Sequence, residues 1–251
     1  VMRMKVIVTF LWIAGSMMFL FGCGNTAGQR SPEELLSLSY SGLAATDQYA
    51  FTGSMSIKTA DGFEFKPQIF EGKVVDHKQL TLQTNSEDTL HWNPVQVLEA
   101  LNESNEEVSL VNGSNDPETV TLHIAENQAA SKERWEQRLR QELERLRENV
   151  SLEDRSYKDE WQKELERSEK QLNDMLKTMK AVTVYELVID RDRLLPLKMD
   201  EKTVFSYTYN GKPLSEERHT TVRFQSFDGA SSDTVQRTLS HVTMDLLTSD
   251  S

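Results

Sequence analysis

Thiol chemistry is almost missing from this chain, whose 251 residues include one cysteine, Cys23. A single thiol excludes a disulfide framework within the chain and cysteine-built zinc sites, so a folded domain here needs a real hydrophobic core. Histidine offers no metal pair either: His77, His91, His123, His219 and His241 contain no i, i+4 pair and no His-Glu-x-x-His spacing. Neither a Gly-x-Ser-x-Gly nucleophile elbow nor a glycine-rich phosphate loop occurs. Asp190 and Asp192 flank Arg191, an arrangement that a turn with local salt bridges explains without calcium. No spacing singles out a pair of glycosidase-type carboxylates. The chain is therefore expected to be no enzyme and to use no cofactor or metal. Basic charge is in deficit as well, with 28 Lys and Arg against 40 Asp and Glu and a net charge of −12. That balance argues against nucleic acid as a partner and against a polybasic patch for lipid headgroups.

Long apolar runs are confined to the N-terminus. Arg3 and Lys5 precede an uncharged, mostly apolar run from Val6 to Phe21, which closes on Leu20-Phe21-Gly22-Cys23. A positive start, an apolar stretch and a small residue before the cut read as a secretory signal. Leu20, Gly22 and Cys23 resemble a bacterial lipobox, with Phe21 bulkier than usual at its most tolerant position. The resemblance implies a signal peptide over 1–22 and lipid attachment at Cys23, as a thioether-linked diacylglyceryl group with palmitate-type chains. Residues 23–30 would then be the lipidated cysteine and a polar tether, and loss of Arg3 and Lys5 would take the net charge from −12 to −14. Two acyl chains, at about 0.8 kcal/mol per buried methylene, hold a protein stably on a membrane. The expected location is the extracytoplasmic face of the cell membrane. A plain transmembrane anchor with an incidental cysteine is the other reading.

Ser31-Pro32-Glu33-Glu34 predicts a helix start, with Leu36, Tyr40 and Leu43 on one face. Two-residue alternation follows in Tyr49, Phe51, Met55 and Ile57. Asp61-Gly62 then signals a β-hairpin turn, with a return strand over Phe63 to Val75 in which Pro67 marks a bulge or an edge. Leu80 and Leu82 continue the meander, Asn93-Pro94 caps a short helix, and Val108 to Leu110 and Val120, Leu122 and Ile124 return to alternation. Gln128 to Lys180 has no Gly or Pro and keeps a helical stripe through Trp135, Leu139, Leu143 and Leu146, then Trp161, Leu165, Leu172, Leu176 and Met179. Poor helix formers at Asn149 and Val150, before Ser151-Leu152-Glu153-Asp154, predict two helices packed as a hairpin; one continuous helix is the alternative. Alternation then resumes in Tyr185, Leu187 and Ile189, in Leu195, Leu197 and Met199, and in Phe205, Tyr207 and Tyr209. Asn210-Gly211 is the strongest turn signal, Val222 and Phe224 follow, Asp228-Gly229 turns again, and Leu239 to Leu247 is read as a last strand. Nine or ten antiparallel strands with helices between them predict an α+β fold.

The stretch Val184-Tyr185-Glu186-Leu187-Val188-Ile189-Asp190, followed by Leu194-Leu195-Pro196-Leu197-Lys198-Met199, is similar to a recurring pattern of the LolA-like superfamily. In that pattern a strand ending in Asp meets a second strand that opens with Leu-Pro. Ser206 to Gly211 and Phe224 to Gly229 resemble stretches of Gram-positive envelope lipoproteins of the same group. The resemblance spans most of Leu36 to Met244 and breaks at Gln128 to Lys180, which is longer and more charged than the group's pattern. It implies a domain over 31–251 with a helical insertion at 128–180. The sheet would be antiparallel and strongly curved, a half-barrel covered by helices, carrying a long charged helical hairpin. Lipoprotein carriers and lipid-binding lipoproteins belong to that group. The implied function is binding of a lipid or other hydrophobic ligand in the concave face, with Phe51, Met55, Ile57, Leu80, Leu82, Val120 and Leu122 as candidate lining. The same residues also suit a plain core. The alternative function is an envelope sensor or assembly factor that meets a protein partner through a coiled-coil arm, where Trp135, Leu139, Trp161 and Leu165 would make the contact.

Overall fold

The computed structural model describes residues 30–85, 93–111, 116–150 and 158–229. Cys23 and its lipobox, Ser151 to Asp154, and the strand expected over Leu239 to Leu247 lie outside the described residues. The chain runs α1 (Pro32–Ala45), β1 (Tyr49–Thr59), β2 (Gln68–Val75), β3 (Gln79–Thr84), α2 (Pro94–Ser104), β4 (Asn105–Leu110) and β5 (Thr119–Glu126). It continues with α3 (Gln128–Val150), α4 (Lys158–Thr178), β6 (Lys180–Asp190), β7 (Pro196–Tyr209), β8 (Lys212–Gln225) and a 3-10 turn at Phe227–Gly229. The fold is α+β: one open, antiparallel sheet in the order β3-β2-β1-β8-β7-β6-β5-β4, with four helices among the described residues. Pairing of β1 with β8 joins the N-terminal meander to the C-terminal one, which leaves β3 and β4 as the edges.

Local chemistry explains the element ends. Pro32 opens α1 and Glu33 and Glu34 fill its first turn, where carboxylates oppose the positive end of the helix dipole. The Asn93 side chain accepts from the Val95 amide at 3.0 Å and caps α2. Asn127 does the same for α3, accepting from the amides of Ala129 and Ala130 at 3.0 and 3.2 Å. Asn210 and Gly211 both take positive φ, 50° and 74°, the primed turn whose twist matches the long β7–β8 hairpin.

Sequence expectations are corrected at β2 and at β7. β2 begins at Gln68 rather than Phe63, because Pro67 has no amide to donate; only a single bridge, Lys58 with Glu64, precedes it. The segments around Leu195 to Met199 and Phe205 to Tyr209 form one 14-residue strand, β7. A register shift between Val188 and Ile189 accompanies burial of Pro196 in place of the expected Leu195 and Leu197, while Met199 is buried as expected. Eight strands occur among the described residues, and the further strand expected over Leu239 to Leu247 lies outside them. α3 and α4 touch each other: Arg140 donates to Asn173 at 2.8 Å and Arg147 to Glu169 at 2.7 Å. On one straight helix Arg147 and Glu169 would stand roughly 33 Å apart, so the continuous-helix reading fails.

One face of the sheet carries the core. Tyr49, Phe51, Phe70 and Phe224 pack their rings with centroid separations of 6.4–6.5 Å, and all four are buried. Glycine makes this packing possible. Gly72 pairs with Phe51 and Gly53 with Phe70 across β1 and β2, and each ring lies over its partner glycine. A Cβ on Gly72 would fall 2.2 Å from the Phe51 ring. Gly72→Val is therefore expected to lower stability by about 1–3 kcal/mol through overpacking, read as a fall in the thermal unfolding midpoint. An unchanged midpoint would mean that the Phe51 ring can move aside.

Candidate functional site

Residues paired across an antiparallel sheet share a face, so register alone assembles the site. One row crosses the sheet as Ile124, Tyr185, Glu201, Thr220, Met55 and Gln68. The adjoining row carries Thr183, Thr203, Arg218 and Ile57. Both rows are polar in the middle of the sheet and apolar where they reach β1. Two helices cover the same face, α3 packing on β6 and α4 on β7. Trp135, Leu176, Met179 and Ala181 form a buried cluster there, with Leu139, Leu172, Phe205 and Tyr207 packed against it.

The polar part is a continuous hydrogen-bonded chain. Ser131 of α3 meets Thr183 at 2.7 Å, and Thr183 meets Thr203 at 2.9 Å. Arg134 donates to both carboxylate oxygens of Glu126, at 3.0 and 2.8 Å, and to the Tyr185 hydroxyl at 2.9 Å. That hydroxyl donates in turn to Glu201 at 3.3 Å, and Glu201 lies 3.6 Å from Arg134. The Glu126 and Glu201 side chains are 1% and 4% exposed, so Arg134 is the cation shared by two carboxylates that water does not reach. Burial acts to lower the basicity of Arg134, but Tyr185, Glu126 and Glu201 outweigh it and hold the guanidinium above its usual range. Burial first, and Glu201 beside it, push the Tyr185 hydroxyl well above the ordinary phenol range, so it stays a neutral donor.

Trp135 sits at the centre of three guanidinium groups. Arg218, Arg138 and Arg134 lie 4.7, 5.1 and 5.2 Å from its ring centroid, within cation–π range, and Phe205 meets the ring edge-on at 4.9 Å. Arg134 pairs with Glu126 and Arg138 with Glu142, at 3.2 Å in the latter case. Arg218 differs: among the described residues it makes no ion pair, and its Nε has no hydrogen-bond partner. Burial, reinforced by Arg138, pushes Arg218 down to about 9, while Glu201 and Glu142 oppose the shift from beyond pairing distance. It remains a cation at neutral pH. Trp135 Nε1 and Thr220 Oγ1 are likewise buried without a partner among the described residues.

The face opens at Ile57, the cross-strand partner of Arg218. Met55, Ile57, Phe65, Lys66, Pro67, Gln68 and Asn85 line a pocket of about 310 Å³ at the β1–β2 end of the sheet. The Phe65 amide donates to the Ile57 carbonyl at 2.9 Å, which fixes the outer wall. Phe63 and Phe65 are 59% and 50% exposed and pack edge to face at 5.0 Å, forming an aromatic rim.

The residues singled out from sequence fall into different places. Phe51, Val120 and Leu122 are buried in the core; Leu80 and Leu82 are half-buried on β3; Met55 and Ile57 line the pocket. Of the four proposed for partner contact, Trp135 and Leu165 are buried, Leu139 packs beside Trp135, and Trp161 is exposed. Sequence reading missed Glu126, Arg134, Tyr185, Glu201, Arg218 and Thr220. The available signal was phase: Glu201 and Thr203 alternate in step with Met199 and Phe205, and Arg218 and Thr220 in step with Val222 and Phe224. Among the described residues no group of three or more His, Cys, Asp and Glu is placed to hold a metal ion, and no helix is long and apolar enough to cross a membrane. Comparison of the sequence with protein-family models and with curated proteins finds no match.

Proposed function

We propose that this chain is a membrane-tethered, extracytoplasmic lipoprotein of the cell envelope, whose LolA-like half-barrel takes a lipid or other hydrophobic ligand on its helix-covered face. The observation that carries this reading is the open pocket floored by Met55 and Ile57, on the face that elsewhere forms the core. Its volume of about 310 Å³ falls at the lower end of ligand-site sizes, and its lining mixes apolar side chains with a few polar ones. The exposed Phe63 and Phe65 beside it suit a rim that touches an apolar surface. A second reading draws support from Leu146 and Trp161, 47% and 37% exposed on α3 and α4: a helical hairpin that meets an envelope protein partner.

Native mass spectrometry of the full chain, extracted from its membrane, separates the two. Retained lipid mass on the wild type, lost in Ile57→Glu at an unchanged unfolding midpoint, is the expected result. A bare wild type, or an Ile57→Glu protein that keeps as much lipid, would sink the binding reading and move attention to Trp161 and Leu146.

A further inference from the structure

We infer that the pocket's ligand is an anionic amphiphile, whose carboxylate or phosphate headgroup pairs with Arg218 while its chain lies over Ile57 and Met55 toward Phe65. This rests on the reading that the pocket takes a hydrophobic ligand, and it adds the headgroup. Register puts the two subsites side by side: Ile57 is the cross-strand partner of Arg218 and Met55 that of Thr220. Adjacent strands lie about 4.8 Å apart, so a head on β8 and a chain on β1 belong to one small molecule.

The chemistry of the headgroup follows from what this corner of the protein leaves unpaired. Arg218 Nε and Trp135 Nε1 can only donate, and both are buried with no acceptor among the described residues; the Thr220 hydroxyl is in the same condition. Such groups are rare because each forfeits its hydration without replacement. Arg134 and Arg138, stacked on the same indole, each have a carboxylate partner, whereas Arg218 has none among the described residues. Stacking on Trp135 holds the Arg218 guanidinium in place while leaving it free to pair. Its planar fork matches two oxygens of a carboxylate or phosphate, which a neutral acyl ligand would not supply. Lys66 in the pocket wall adds a second positive charge.

The test uses the full chain in membranes, a photoreactive hexadecanoic acid with a diazirine near its end, and the methyl ester of the same acid. Irradiation followed by peptide mapping reads occupancy between Met55 and Pro67. The acid is expected to half-label the wild type at a concentration at least 10-fold lower than the ester. Arg218→Met should bring the acid to the level of the ester and leave ester labelling unchanged, while Arg218→Lys should keep part of the difference. Arg218→Met should also unfold at the same temperature as the wild type or a few degrees higher, since a half-buried cation whose Nε has no partner is removed. Acid and ester labelling equally, with no effect of Arg218→Met, would overturn the headgroup assignment and leave the hydrophobic pocket standing. Labelling by neither would overturn both. Inorganic phosphate raising the unfolding midpoint as much as the acid does would replace the amphiphile with a free anion. Labelling of a chain ended at Gly229, but not of the full chain, would make the chain's own C-terminal segment the occupant.

Discussion

Arg134→Met is expected to destabilise the fold by about 3–5 kcal/mol, because it strands two carboxylates in the core. Glu126 and Glu201 are almost wholly buried, and Arg134 is the cation that bonds Glu126 through both oxygens and approaches Glu201 at 3.6 Å. Domains of this size are stable by roughly 5–15 kcal/mol, so the loss would be a large fraction of the total. Arg134→Lys keeps the charge but cannot reproduce the two-pronged bond to Glu126 together with the bond to Tyr185, so an intermediate loss follows. Adding Glu126→Gln to Arg134→Met should recover part of the stability, since one stranded charge is gone. Urea unfolding midpoints of the three variants check this series. A loss under 1 kcal/mol in Arg134→Met would mean that water reaches Glu126 when the guanidinium is removed. The network would then be a solvated surface feature.

That network also marks where sequence reading reached its limit. The turn at Asn210-Gly211, the Asn93 cap, the start of α1 at Pro32 and the alternation of β1, β5 and β6 were all legible, because local chemistry alone determines them. The middle of β7 and the first half of β8 were not. Their inward positions hold Glu201, Thr203, Glu216, Arg218 and Thr220 where an apolar residue is expected, so the period-2 hydrophobic signal vanishes midway. Those positions become inward only because α3 supplies Arg134, Ser131 and Trp135 from some 50 residues away in sequence to meet Tyr185 and Thr183. A side chain whose burial depends on a distant partner carries no local signature. The reverse error has the same root. Trp135 looks surplus on a charged helix, yet it is buried because three arginine side chains and Phe205 surround it. Lys and Arg counted as a solvated face in sequence can wall an aromatic ring once the fold is formed. The pocket was half legible: Met55 and Ile57 follow from alternation, whereas the Phe65 wall depends on an irregular segment held to Ile57 by one backbone bond.

Cys23→Ser should abolish fatty-acid incorporation, and with it the stable hold on the membrane. The proposed anchor carries two palmitate-type chains, and at about 0.8 kcal/mol per methylene their combined transfer into the bilayer is on the order of 20 kcal/mol. No folded element among the described residues offers a substitute, since none of the helices is long and apolar enough to span. A tether over residues 23–30 would reach at most about 28 Å when fully extended, so the proposed anchor would keep the domain within reach of lipid at high local concentration. The variant therefore separates two quantities that the wild type combines. Binding of a soluble acyl probe at Met55 and Ile57 should persist in Cys23→Ser, because the pocket is built by β1 and the Phe65 segment. Lipid carried from the native membrane should fall steeply, because the supply is no longer adjacent. Metabolic labelling with a fatty acid, alongside native mass spectrometry of the same preparations, reads both. Continued labelling of Cys23→Ser would reject the lipobox assignment. A full lipid load on an unlabelled variant would show that the pocket fills independently of the anchor.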